Sequence, residues 1–254
     1  MRFHRAAAGP AISAHRGGGE FAPAGTWAAF DATLGTPVEY VELDVRRTRD
    51  GVWVIRHDEY AGRPARPVRT LRYDELCQAA GYLVPEATAV MQAVAGRFVG
   101  HLDLKEPAGE AAIVGPAVDI FGADGFVVTT EHPASLRRVR SFAPAVRTAL
   151  STGPSFRLGR TPWNPRRSWS FDPRWVLDSG AHGVALNHRL ATDGVLERFR
   201  RDGLAVMLWT VNDPSLIARY LAEPRIDVLV TDRPWLAFEL RSQVAAPRER
   251  QLVP

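Results

Sequence analysis

Short apolar runs of strand type alternate with longer amphipathic runs of helix type through the whole of this chain. The strand-like runs fall at 11–14, 40–45, 98–104, 125–129, 146–150, 183–186, 205–209 and 227–230. Helical patterns lie between most of them, at 27–34, 85–95, 110–121, 133–141, 173–179, 193–201 and 214–222, and a last one at 234–240 follows the eighth strand. Thr192-Asp193 and Asn212-Asp213-Pro214 carry the side chains that start helices. Strands separated by helices pair in parallel, because a chain crossing through a helix returns in the same direction. Eight such units in 254 residues favour closure into a (β/α)8 TIM barrel, fold class α/β, over an open doubly wound sheet. No Gly-x-Gly-x-x-Gly turn opens a first helix, which weakens a dinucleotide-binding version of the open sheet.

Two departures from the rhythm predict additions to a single domain over 1–244. Asp50-Gly51 is a hairpin turn signal, and 51–55 reads as a short extra strand after it. Residues 152–170 form a long βα loop rich in Arg, Pro and Trp. The polar stretch 245–254 reads as a mobile tail.

Composition excludes several classes. No apolar run is long enough to span a bilayer, so stable membrane insertion is not expected. The first ten residues lack a secretory apolar stretch, and the expected location is cytoplasmic. Cys77 is the only cysteine, which rules out an internal disulfide and a cysteine zinc site. It sits in a helix-like stretch as a small hydrophobe. The net charge of +4 comes from scattered arginines interleaved with acids, so no nucleic-acid partner is expected, only a small molecule. Among 31 arginines stands one lysine, Lys105, a compact charge with rotatable donors where arginine offers a planar fork.

In a barrel of this kind the working groups sit where strands end. The first strand ends in His15-Arg16-Gly17-Gly18-Gly19, the second carries Glu42 and Asp44, the extra strand ends in His57-Asp58, and the third carries His101, Asp103 and Lys105. Side chains two apart on a strand share a face, so Glu42 projects with Asp44, and His101 with Asp103 and Lys105. Glu42, Asp44 and Asp103 make an all-oxygen site for one divalent cation, calcium or magnesium. Phosphodiester cleavage needs an acid and a base, histidine as a residue type suits both tasks, and His15 and His57 are the candidates. Arg16 and Lys105 suit phosphate oxygens, and the glycine run lets backbone approach a phosphate. Asn187, His188, Glu131 and His132 lie at strand ends as further mouth residues, or as caps and loop positions.

The sequence resembles the glycerophosphodiester phosphodiesterase family along nearly its whole length. The matching stretches are His15-Arg16-Gly17, Glu42-Leu43-Asp44-Val45, Thr48-Arg49-Asp50-Gly51, His57-Asp58, Asp103-Leu104-Lys105, Trp209-Thr210-Val211-Asn212 and Val230-Thr231-Asp232-Arg233-Pro234. The resemblance implies a divalent-cation enzyme hydrolysing glycerophosphodiesters to glycerol 3-phosphate and an alcohol. It gives His15 and His57 the acid–base roles, Arg16 and Lys105 the phosphate, Glu42, Asp44 and Asp103 the metal, and Trp209 an apolar wall at the mouth. The chain departs from the family pattern in Pro23-Ala24-Gly25-Thr26, where Pro-Glu-Asn-Thr is usual and where Glu20 offers a partial replacement. Asp103 stands where glutamate is common, Thr130-Glu131-His132 where Ser-Phe is frequent, and 59–85 is a short version of the inserted cap. Two other readings are a barrel that binds phosphodiesters or sugar phosphates without turnover, and a lysophospholipase-D-like enzyme with an apolar lid from Phe156, Trp163 and Trp169.

Overall fold

The computed structural model describes residues 3–7, 9–152 and 174–245. In chain order they form β1 (Ala11–Ala14), α1 (Trp27–Leu34), β2 (Tyr40–Arg47), β3 (Trp53–Ile55), β4 (Tyr60–Ala61), β5 (Arg66–Pro67), α2 (Tyr73–Ala80) and α3 (Ala87–Val94). There follow β6 (Val99–Leu104), α4 (Glu110–Phe121), β7 (Phe126–Thr130), α5 (Pro133–Phe142), β8 (Arg147–Thr152), α6 (Arg174–Ser179) and β9 (Gly183–Asn187). The chain continues through α7 (Asp193–Arg201), β10 (Ala205–Trp209), α8 (Pro214–Leu221), β11 (Val228–Thr231) and α9 (Pro234–Ala245).

Eight of these strands pair in parallel in the order β1-β11-β10-β9-β8-β7-β6-β2, and β1 also pairs with β2, which closes the ring. The (β/α)8 barrel expected from the alternation is therefore present. Its two apolar layers are separate. One lies between strands and helices and includes Ile12, Leu43, Leu102, Val128, Val184 and Leu229. The other fills the barrel interior, with Ala11, Tyr40, Val127, Ala149, Ala185, Met207 and Val228. Alternate residues on each strand serve one layer or the other, as period-2 geometry requires. On β1, β2 and β6 the inward series turns polar towards the strand ends, and there the interior stops being a core.

The predicted helix starts are built by the expected caps. Thr192 accepts from Val195 N, and Asp213 accepts from Ser215 and Leu216 N with Pro214 in the first turn. Helix α3 starts later than its sequence pattern, because Ile55 N donates to Pro85 O (2.8 Å) and Glu86 bridges Val54. Strand β2 runs past Val45 because Arg46 and Arg47 pair antiparallel with β3, the extra strand announced by Asp50-Gly51. Between β3 and α3 the β4–β5 hairpin and α2 gather Val54, Ala61, Val68, Leu71, Leu76 and Val84 into a small core of their own. Cys77 is half-buried beside it. Thr152 ends β8, so the loop begins one residue later than its pattern suggests. The rest of that loop, with Phe156, Trp163 and Trp169, lies outside the described residues. Helix α9 reaches Ala245, beyond the expected start of the tail, and 246–254 also lie outside the described residues. Among the described residues no helix is long and apolar enough to cross a membrane.

Candidate active site

The register of β2 on β6 places Glu42 opposite His101 and Asp44 opposite Asp103, and β7 sets Thr129 opposite Asp103. These side chains meet inside the mouth of the barrel. Glu42, Asp44 and Asp103 are all buried, and one carboxylate oxygen from each lies within 4.8 Å of the others. Two cations are set against them. Lys105 Nζ is 2.7 Å from Asp44 Oδ1 and touches Asp103 Oδ2, and Arg16 Nε is 3.0 Å from Asp44 Oδ2.

Burial, then the charge of Asp44 and that of Asp103, pushes the Glu42 carboxyl well above the ordinary carboxylate range. Asp44 goes the other way: burial raises it, but Lys105, the neighbouring Glu42 and Arg16 outweigh that and hold it low. At Asp103 burial is likewise outweighed, chiefly by Lys105. The Lys105 ammonium is itself held far above its ordinary value, because Asp103, Asp44 and Glu42 outweigh its burial. Three carboxylates against two side-chain cations leave the cluster short of positive charge. Asp44 has ionic partners on both oxygens, yet neither oxygen receives a hydrogen bond of good geometry. Hard oxygen donors with unsatisfied lone pairs fit a calcium or magnesium ion.

Arg16 reaches this position through a strained backbone. Its φ of 53° and ψ of 38° lie in the left-handed region, which costs a non-glycine residue about 1 kcal/mol. Two hydrogen bonds hold it there: Arg16 N donates to Glu42 Oε2 (2.7 Å) and Gly25 N donates to Arg16 O (2.7 Å). Gly17, at φ 75°, packs so closely on Phe30 that a Cβ would sit 2.8 Å from the ring. Gly18 is limited in the same way by Pro234 at 3.0 Å. Packing beneath the loop thus demands glycine at positions 17 and 18 of the run.

His15 and His57 both line the cleft, together with Arg16, Glu42, His101, Asp103, Lys105, Thr129 and Trp209. The space they surround is about 70 Å³, room for a reacting group rather than a whole ligand, since ligand sites run from about 300 Å³ upward. His15 Nδ1 is 2.6 Å from Asp232 Oδ1, which leaves Nε2 as its free ring nitrogen. Burial raises the Asp232 carboxyl, but the bond and charge of His15 and the bond from Asn212 outweigh it and keep it ionised. Asn212 donates to Asp232 Oδ2 and accepts from Asp232 N at 2.9 Å. His57 Nδ1 is 3.0 Å from Asp58 Oδ1, and Arg46 Nε donates to His57 O at 2.9 Å. Burial lowers the His57 ring despite Asp58. Trp209 is pinned by its Nε1 donating to Ala185 O at 2.8 Å.

Every residue the sequence proposed for catalysis, phosphate, metal or the apolar wall borders this one cleft or, as Asp44 does, pairs with its lining. The further mouth residues do not. Asn187 caps a turn by accepting from Arg189 N, His132 sits at the N-cap of α5, and neither they nor Glu131 and His188 line the cleft. Glu20 does not line the cleft either; its carboxylate accepts from Trp235 N (3.0 Å) at the start of α9. Asp232, Asn212 and Thr129 were missed. The first two lie in matching motifs of the chain, but their proximity to His15 exists only once β11 pairs with β1.

A (β/α)8 barrel with three acids, two cations and two imidazoles at its C-terminal mouth has the parts of a phosphoric diester hydrolase. The chain belongs to the glycerophosphoryl diester phosphodiesterase family, whose family model matches residues 15–236, and it is an enzyme of that class. The Bacillus subtilis protein YhdW is 28% identical over 241 residues, covering 88% of this chain and 94% of its own. A crystal structure from Silicibacter pomeroyi superposes with a TM-score of 0.80 at 22% identity, covering 95% of this chain and 96% of that one. An Oleispira antarctica phosphodiesterase, solved in complex with the product sn-glycerol-3-phosphate, has a TM-score of 0.72 at 18% identity and covers 92% and 97% of the two chains.

Proposed function

We propose that the chain hydrolyses glycerophosphodiesters to glycerol 3-phosphate and an alcohol with one bound calcium or magnesium ion, its catalytic domain being 1–244. The observation that carries this reading is the buried trio Glu42, Asp44 and Asp103, with Lys105 and Arg16 against it and two imidazoles on the same cleft. Glu42, Asp44 and Asp103 would hold the cation, which when bound supplies charge neutralisation at a phosphate oxygen. Arg16 and Lys105 bind the remaining phosphate oxygens, and their grip on Asp44 keeps both cationic heads aimed at one place. His15, its Nδ1 committed to Asp232, works through Nε2, and His57 works from the opposite loop. One ring takes the proton of the attacking hydroxyl, from water or from the glycerol of the substrate. The other gives a proton to the leaving alcohol, and each acid–base contribution is worth about 10²–10⁴-fold. Trp209 walls the mouth against the apolar part of the substrate.

The test is turnover of glycerophosphocholine and bis(p-nitrophenyl) phosphate with calcium, magnesium, manganese or EDTA, beside His15→Ala and His57→Ala. Cation-dependent turnover lost in both variants is the expected result. No turnover on these or on a wider set of glycerophosphodiesters and lysophospholipids would overturn the reading.

A further inference from the structure

His101 has no part in the chemistry above, yet it lies at the centre of the barrel, 4% exposed. Its two ring nitrogens are both engaged. Ser13 Oγ is 3.2 Å from Nδ1, and Thr129 Oγ1 is 3.1 Å from Nε2. Thr129 in turn donates to Asp103 Oδ1 at 2.5 Å. The four residues come from β1, β6 and β7, and strand register sets two of them, Asp103 and Thr129, opposite each other.

Proton accounting allows one direction through this chain. An ionised Asp103 only accepts, so the single hydroxyl proton of Thr129 goes to it. Thr129 Oγ1 must then receive its other bond from the ring, which puts a proton on His101 Nε2. If the ring carried its proton on Nδ1 instead, two acceptors would face each other at 3.1 Å. Ser13 Oγ meets the other ring nitrogen, Nδ1, and holds the ring from its far side. The donors therefore point from His101 through Thr129 to Asp103.

We propose that His101 is a positioning residue: with a proton on Nε2 it drives Thr129 onto Asp103 and so fixes the carboxylate that completes the acidic trio. Asp103 has a short side chain, and its Oδ2 is drawn towards Lys105. The Thr129 bond on Oδ1 opposes that pull and sets the rotation of the carboxylate. An outer partner of this kind commonly changes cation affinity by about 10–100-fold. The proposal rests on the assignment of Asp103 to the cation site.

The experiment has two arms on the full-length protein. The first is ¹⁵N NMR of histidine-labelled protein at neutral pH, with His101→Gln used to assign the signal. A ring protonated on Nε2 is expected, while a ring protonated on Nδ1 alone overturns the proposal. The second is binding of magnesium or terbium alone, by calorimetry or luminescence, to the wild type, His101→Leu, His101→Gln and Thr129→Val, each checked for folding by circular dichroism. Affinity is expected to fall about 10–100-fold in His101→Leu and Thr129→Val and to recover largely in His101→Gln, whose amide still donates to Thr129. Unchanged affinity in folded His101→Leu overturns the proposal. If the wild type takes up neither cation, the metal assignment of Asp103 fails on its own account, and the ring tautomer alone then decides for or against the relay. Should His101→Leu not fold, Thr129→Val carries the affinity arm.

Discussion

The two catalytic-candidate histidines carry the same chemical pair, an imidazole Nδ1 against an aspartate, built in opposite ways. His15 meets Asp232 across 217 positions of sequence, at 2.6 Å, with the side chains 15% and 33% exposed. Asn212 clamps that aspartate at both its carboxylate and its backbone. His57 meets the adjacent residue, Asp58, at 3.0 Å, with the side chains 43% and 73% exposed. A wet neighbour pair is screened and pays rotamer entropy, whereas a clamped one is preorganised. The direction of the His57 shift agrees, since burial lowers its ring even with Asp58 alongside. His57 is oriented instead through its backbone, by Arg46, whose other end is fixed on Glu106 at 2.9 Å. One ring is held by its side chain and the other by its main chain.

Substitutions in order of expected effect test this contrast. Asp232→Asn removes the negative charge behind His15 and one of the two oxygens that accept from His15 and Asn212, and kcat should fall about 10²–10⁴-fold with KM little changed. Arg46→Met frees the His57 carbonyl and should cost about 10-fold in kcat with native stability largely kept, as small misplacements of reacting groups do. Asp58→Asn should change kcat by less than about threefold. Steady-state kinetics on one substrate compares all of them, and a loss in Asp58→Asn equal to that in Asp232→Asn would break the contrast.

A carboxylate–guanidinium pair outside the cleft sharpens the same point through stability. Glu110, buried at the start of α4, takes Arg138 in two bonds of 3.0 and 2.6 Å and also accepts from Ala108 N. Burial raises its carboxyl, but Arg138 and Ser135 outweigh that and bring it down to about 2. A group lowered on folding stabilises above its unfolded value, about 4.3 for glutamate, and loses that contribution as pH falls through its folded value. Glu110→Gln should therefore lower the melting temperature by a few degrees at neutral pH, measured by thermal unfolding. The gap should close between about pH 4 and pH 2 and leave kcat almost untouched.

Much of this site is legible in the sequence. Period-2 geometry alone puts Glu42 with Asp44 and His101 with Asp103 and Lys105, because successive side chains on a strand point to opposite faces and those two apart share one. A lone lysine among arginines marked its own position. The alternation of strand and helix carried the barrel, and Asp50-Gly51 carried the extra strand. Glu20 serves a partner far away in sequence, closing the N-terminus of α9. Gly17 carries a requirement that its own stretch does not display, since Phe30 in the next helix leaves no room for a Cβ.

What the sequence determined by itself is local: which residues share a face, where helices begin, and which chemistry each strand end carries. Those follow from bond geometry and hydrogen-bonding groups within a few residues. The tertiary structure alone decided which faces meet. The register of β2 on β6 turned two separate acidic faces into one trio, and closure of β11 on β1 brought Asp232 to His15. The β6–β7 pairing aimed Thr129 at Asp103 and gave His101 its direction. Each of these is a long-range pairing selected by burying one face of every strand at once, and no short window of sequence contains that information.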